Sequence, residues 1–193
     1  RVRDVLFSEN GSSLTVLSEG GVQVLDVGTY ERIFQVRDNT RDADIGPFGR
    51  VIAVGNPQTG KVRVWNLATN QLVSVLDHFN CEMIRWSSDG DRLMTASPKL
   101  VKLCNLSDTQ EKRVLRSHRG GVAGICYSRD GNSIASTGKD RTIKIWNTKT
   151  GKVERTFDEL MPTPGETISY SPDGNLLACG DYRSGTIRVF DAN

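Results

Sequence analysis

The stretch that decides the fold is SHRGGVAGICYSRDGNSIASTGKDRTIKIWN, Ser117–Asn147. Val122–Tyr127 is apolar and rich in β-formers. Ser128-Arg129-Asp130-Gly131 has turn chemistry, with glycine at the position that needs positive φ. Ser133–Ser136 reads as a second short strand. Gly138-Lys139-Asp140-Arg141 turns again, and Thr142–Trp146 alternates polar and apolar as a half-buried strand does. Three strands and two tight turns make a meander.

The same unit recurs along the chain. Turn glycines stand at Gly11, Gly49, Gly90, Gly131 and Gly174, separated by 38, 41, 41 and 43 residues. About 15 residues after each comes a large or apolar residue followed by Asp or Asn: Leu25, Trp65, Cys104, Trp146 and Phe190. Two signals keeping step at one period define a repeat. A fourth strand is expected after each landmark, at Glu31–Val36, Leu72–Leu76, Lys112–Leu115 and Val153–Phe157. The fifth repeat stops before one. The expected repeats are 1–37, 38–77, 78–116, 117–158 and 159–193, within one region spanning 1–193. No segment has helical periodicity. Asp158–Glu166, with two prolines, reads as an enlarged loop. A single four-stranded meander cannot cover both its faces, whereas meanders set flank to flank about an axis cover one another. The expected fold is all-β, a β-propeller with five four-stranded antiparallel blades, the last lacking its outer strand.

Composition narrows the function. The net charge is +2 in 193 residues, which gives no strong case for nucleic acid or an acidic membrane surface. The four cysteines form no CxxC pair, and with two histidines no zinc spacing can be assembled. No metal and no cofactor are expected. Unpaired cysteines in strands suit a reducing compartment, cytoplasmic or nuclear. No apolar run is long enough for a transmembrane helix.

These repeats resemble the WD-repeat family over nearly the whole chain. The period, the turn Ser171-Pro172-Asp173-Gly174 and the strand end Trp146-Asn147 carry the resemblance. In the fourth repeat, Ser117-His118 stands where the family has Gly-His, followed by Ser136, Asp140 and Trp146 at the family's spacing. The resemblance implies a closed structural network in which His118 joins Asp140 to Ser136, and Ser136 takes the Trp146 indole N–H. Other repeats depart from the pattern: Leu25, Cys104 and Phe190 replace the tryptophan, and Lys99 aligns near Asp140. The resemblance also implies a ring of about seven blades. Five would leave two apolar sheet faces bare, so further blades in a longer chain, another chain, or tight closure by five blades is expected to complete it.

A propeller of this kind implies a rigid protein-interaction scaffold that binds a protein or peptide through its rim loops. The candidate rim residues are Arg41, Phe79, Lys99, Arg119, Lys139, Tyr182 and Arg183, of types that anchor interfaces. An acidic or phosphorylated peptide is the expected partner. Nucleic acid or anionic lipid, held by the same basic groups, is the alternative, and so is a sensor region within a larger signalling protein. Catalysis is not expected. Ser136, His118 and Asp140 are the residue types of a hydrolytic triad, but no oxyanion-hole motif or nucleophile elbow accompanies them. The acidic pairs Asp42/Asp44 and Asp158/Glu159 are expected in loops with nothing to fix them.

Overall fold

Alternation becomes burial in the computed structural model, which describes residues 1–106, 112–116, 118–158, 165, 167–181 and 184–192. Ser13–Ser18, for example, buries every second residue. Nineteen strands form among the described residues, and no helix. They make five antiparallel sheets in simple meander order. The first blade holds β1 (Val2–Phe7), β2 (Ser13–Ser18), β3 (Gly21–Asp26) and β4 (Arg32–Val36). The second holds β5 (Asp42–Ile45), β6 (Val51–Asn56), β7 (Lys61–Asn66) and β8 (Gln71–Asp77). The third holds β9 (Met83–Trp86), β10 (Arg92–Ser97), β11 (Leu100–Asn105) and β12 (Lys112–Leu115). The fourth holds β13 (Val122–Tyr127), β14 (Ser133–Gly138), β15 (Ile143–Asn147) and β16 (Val153–Phe157). The fifth has three strands, β17 (Thr167–Tyr170), β18 (Leu176–Asp181) and β19 (Thr186–Asp191).

The core lies between blades. Leu17, Val22 and Val24 of the first blade pack on Ile45, Ile52 and Val54 of the second. The other side of the second blade presents Ala53, Val62 and Val64 to Ile84 and Leu93 of the third. Met94 and Leu103 then meet Ile134 and Trp146. Ile143 and Ile145 meet Leu177 and Cys179. The innermost strands pack in the order β1, β5, β9, β13, β17, and β17 has no comparable packing on β1. Both end faces carry exposed apolar residues, among them Val2, Val5 and Phe7 at one end and Ile187 and Val189 at the other. The five blades form an open arc.

Four of the five turns between first and second strands share one chemistry. Ser128 Oγ donates to Asp130 Oδ1 at 2.6 Å, the same carboxylate oxygen accepts the Asn132 N–H, and the Gly131 N–H bonds Ser128 O. Ser8, Ser87 and Ser171 open turns of the same build with Asn10, Asp89 and Asp173. The second blade turns instead at Gly46-Pro47-Phe48-Gly49, closed by main-chain bonds from Gly49 N–H to Gly46 O and from Gly46 N–H to Val51 O. Gly131 sits at φ +67°, where an L side chain is strained. Gly131→Ala should therefore lower stability by ~1–2 kcal/mol in urea titration. An unchanged midpoint would mean that this turn relaxes freely.

Candidate functional site

Blade four contains a buried polar chain built from four strand and loop positions. The His118 side chain is 1% exposed. Its Nδ1 lies 3.0 Å from Asp140 Oδ1, and its Nε2 lies 2.7 Å from Ser136 Oγ. Trp146 Nε1–H donates to Ser136 Oγ at 2.8 Å. One proton arrangement satisfies all of these. Nδ1–H donates to the carboxylate, Nε2 accepts from the Ser136 hydroxyl, and that oxygen accepts from the indole. The imidazole is then neutral. Burial pushes its pKa below the ordinary histidine value, against the opposing pull of Asp140. Burial also works against the Asp140 carboxylate, but hydrogen bonds from Thr142, His118 and the Arg119 N–H hold its pKa below the usual range.

Sequence spacing does not reveal two further members. Thr142 Oγ1 donates to Asp140 Oδ1 at 2.8 Å, and Arg119 N–H donates to Asp140 Oδ2 at 2.7 Å. Gly138 is the other hidden requirement. A Cβ there would stand 2.2 Å from His118 Nδ1 and 2.5 Å from Asp140 Oδ1, so the chain needs glycine for close approach.

The register shows why the other blades lack this chain. Trp146 lies across from Ile134, and Ser136 is two residues further along β14. In the second blade Trp65 lies across from Ile52, and Val54 takes the serine's position. The buried Trp65 Nε1–H accordingly has no partner among the described residues. In the third blade Leu93 lies across from Cys104, which places Thr95 at that position. His78, 40 residues before His118, bonds Thr95 Oγ1 through Nδ1 at 2.6 Å. No indole completes the chain there, and His78 Nε2 is buried without a partner among the described residues. Burial, reinforced by Lys102, pushes His78 down to about 4. The repeat period itself would have found His78.

The catalytic resemblance of Ser, His and Asp ends with burial. Ser136 is fully buried. Its oxygen already joins imidazole and indole, so no substrate carbonyl reaches it. Asp42 and Asp44 differ from the sequence expectation. They lie on strand β5, not in a loop, and β9 fixes them: Asp42 Oδ2 accepts from Ile84 N–H and Arg85 Nη1, and Asp44 Oδ2 accepts from Trp86 N–H. Burial raises both carboxylates, Asp44 to about 7. The reason for the difference is that these side chains stand in for ladder bonds between innermost strands that never pair. Glu159, Ser117, Tyr182 and Arg183 lie outside the described residues, as does most of the loop expected at Asp158–Glu166.

Three rim residues come from loops tied together by main-chain bonds. Lys99, Arg119 and Lys139 are exposed. Val122 N–H donates to Pro98 O, Lys139 N–H donates to Gly121 O, and Arg119 N–H reaches the Asp140 carboxylate. Arg141, exposed at φ +64°, extends the same edge. Phe79, 72% exposed, stands apart beside Gly60 of the second blade. Arg41 is on a third loop, its N–H bonded to Gly55 O. No group of three or more metal-ligating side chains occurs among the described residues, and no helix there is long and apolar enough to cross a membrane.

Two family profiles divide the chain. The profile "WD domain, G-beta repeat" matches residues 109–147 and 166–191. The profile "Eukaryotic translation initiation factor eIF2A" matches residues 2–103. The chain belongs to the WD-repeat family. Its relatives include an uncharacterised WD repeat-containing protein of Synechocystis, 31% identical over 71% of this chain and 40% of its own length. The target of rapamycin complex subunit wat1 of Schizosaccharomyces pombe is 23% identical over 75% of this chain and 46% of its own. Eukaryotic translation initiation factor 3 subunit I of Aspergillus fumigatus is 30% identical over 57% of this chain and 33% of its own. The chain thus spans less than half the length of each.

Removing the imidazole would leave Ser136 and Asp140 short of partners. His118→Ala should cost ~1–3 kcal/mol in urea unfolding, and equal midpoints would show that the network adds nothing to stability. His78 gives a signed pH effect. Its folded pKa lies below its unfolded value near 6.5, so its stability contribution is whole above about 6.5 and falls as pH drops towards about 4. Asp44, raised by burial, acts oppositely and loses stability as pH rises towards about 7. The difference between wild type and His78→Gln isolates the first effect. The wild type should lose more stability than the variant on acidification, and parallel profiles would refute the assignment.

Proposed function

We propose that this WD-repeat chain is a non-catalytic scaffold that holds an acidic or phosphorylated peptide segment of a protein partner on its rim loops. The observation that carries this reading is the cross-tied edge of blades three and four. There Lys99, Arg119 and Lys139 project from loops whose backbones are bonded to one another. A rigid platform loses little entropy when it captures a partner, so exposed cations on it are more useful than the same cations on a free loop. The His118 network lies directly beneath and fixes the Arg119 backbone through Asp140. In this reading the polar chain supports binding and performs no chemistry. The names of the yeast and Aspergillus relatives, each a subunit of an assembly, accord with it.

The test is charge reversal on the rim. Lys99→Glu, Arg119→Glu and Lys139→Glu combined should weaken capture of an acidic peptide partner by at least about tenfold, roughly 1.4 kcal/mol, with an unchanged circular dichroism spectrum. Unchanged affinity would overturn the rim assignment. Salt dependence identifies the partner class. A steep log-log loss of affinity for single- or double-stranded nucleic acid, exceeding that for peptide, would favour the nucleic-acid alternative instead.

A further inference from the structure

The groove where blade three meets blade four collects positive charge. At one end it deepens into a cleft of about 170 Å³ lined by Arg92, Arg113 and Lys149, together with Asn105 and Thr148, and by no carboxylate among the described residues. That volume is below the roughly 300 Å³ of a site for a drug-sized molecule, which suits one compact group. The cleft lies at the end of the blades opposite the rim. Lys139 follows β14, whereas Thr148 and Lys149 follow the far end of β15.

Three separate elements hold the three cations. Arg92 opens β10, and its Nη1 donates to Thr148 Oγ1 at 2.8 Å and to Gly131 O at 3.2 Å. These bonds fix the guanidinium across the blade boundary, and its Nε and Nη2 donate to no described residue. Arg113 pairs with Leu103 across β12 and β11. Its stem runs past the next blade at Gly151, where a Cβ would lie 3.8 Å from Arg113 Cδ. Lys149 belongs to the turn after β15, closed by N–H bonds from Lys149 and Thr150 to Asn147 Oδ1. The Asp89 carboxylate accepts from Ser87 Oγ and Asp91 N–H in its own turn and does not line the cleft.

The fold does not require this charge. Where Arg92 opens its strand, the other blades have Ser13, Val51, Ser133 and Leu176. At the register position of Arg113 they have Phe34, Ser74 and Arg155. The corresponding turn of blade two has Ala68 in place of Lys149. The groove between blades four and five has Arg155, but sets Asp130, Glu154 and Asp173 around it. Cations at all three positions are thus peculiar to one groove. Like charges gathered in a partly buried cleft repel one another, and an anion between them relieves that cost. Two guanidinium forks match the edges of a tetrahedral oxyanion, and three positive charges favour a dianion over a carboxylate. We propose that this cleft binds a phosphate group, as the free ion or as the phosphoryl group of a monoester, with Arg92, Arg113 and Lys149 as its ligands. The site lies apart from the rim loops and does not depend on their role.

The test titrates the full chain with inorganic phosphate and, separately, with O-phosphoserine, following the amide NMR signals of Thr148 and Lys149. Saturable shifts are expected. A response to inorganic phosphate alone identifies the free ion as ligand, and a response to O-phosphoserine, alone or with the ion, identifies the monoester. Arg113→Gln and Lys149→Gln should each raise the dissociation constant at least about tenfold. The combined rim variant Lys99→Glu, Arg119→Glu, Lys139→Glu should leave it unchanged, so failure at the rim and failure at the cleft are read separately. No saturable shift with either probe, or an affinity indifferent to Arg113→Gln and Lys149→Gln, would overturn the proposal. So would an equal loss in the rim variant, which would mean attraction to general positive charge. If Arg113→Gln fails to fold, Lys149→Gln, at an exposed turn residue, decides alone.

Discussion

Everything in this molecule rests on apolar contact between neighbouring sheets. A blade is one strand-layer thick and cannot bury its own faces, so Ile52, Ile84, Ile134 and Leu177 are covered only because another blade stands against each. Stability in such an array is a sum of unit and neighbour terms. Hydrogen bonds between blades are a minor addition, as where Asp42 and Asp44 of one innermost strand take the main-chain N–H groups of the next. The burial that raises those carboxylates shows their cost. They are retained where two strands must lie close without forming a ladder.

The polar chain of blade four shows how a repeat can be eroded without losing its fold. At two register positions the five blades hold Val16 and Leu25, Val54 and Trp65, Thr95 and Cys104, Ser136 and Trp146, and Cys179 and Phe190. Only the fourth combines hydroxyl with indole. Among the described residues, the second keeps the indole and leaves its N–H unanswered, and the third keeps hydroxyl and histidine but leaves one ring nitrogen bare. Packing tolerates these exchanges because each side chain is of adequate bulk and the slot is apolar. Hydrogen bonding does not tolerate them equally. A network missing one member strands the others.

That difference explains what the sequence disclosed. Strand positions were legible because turn glycines and apolar alternation are local signals, and Val122–Tyr127 and Val153–Phe157 appear with the expected bounds. The five-unit meander was legible because its period repeats. Thr142, Gly138 and the Arg119 N–H were not, since their importance comes from distances across a folded loop. Asp42 and Asp44 were misplaced because a four-residue strand bearing two acids has the composition of a turn. The adjacency of Lys99, Arg119 and Lys139 needed the backbone bonds that tie separate loops.

The exposed ends of the arc have a consequence for growth. The surface that blade one turns outward is of the same kind as the one each later blade presents to its predecessor, and blade five's outer side is of the kind every earlier blade presents to its successor. Leu14, Val16 and Leu25 occupy the register positions of Ile134, Ser136 and Trp146, while Ile187 and Val189 align with Ile143 and Ile145. The assembly rule is therefore written at both termini of the array. A further unit with the same pattern would be accepted at either side without any new recognition chemistry, much as a crystal face accepts the next layer.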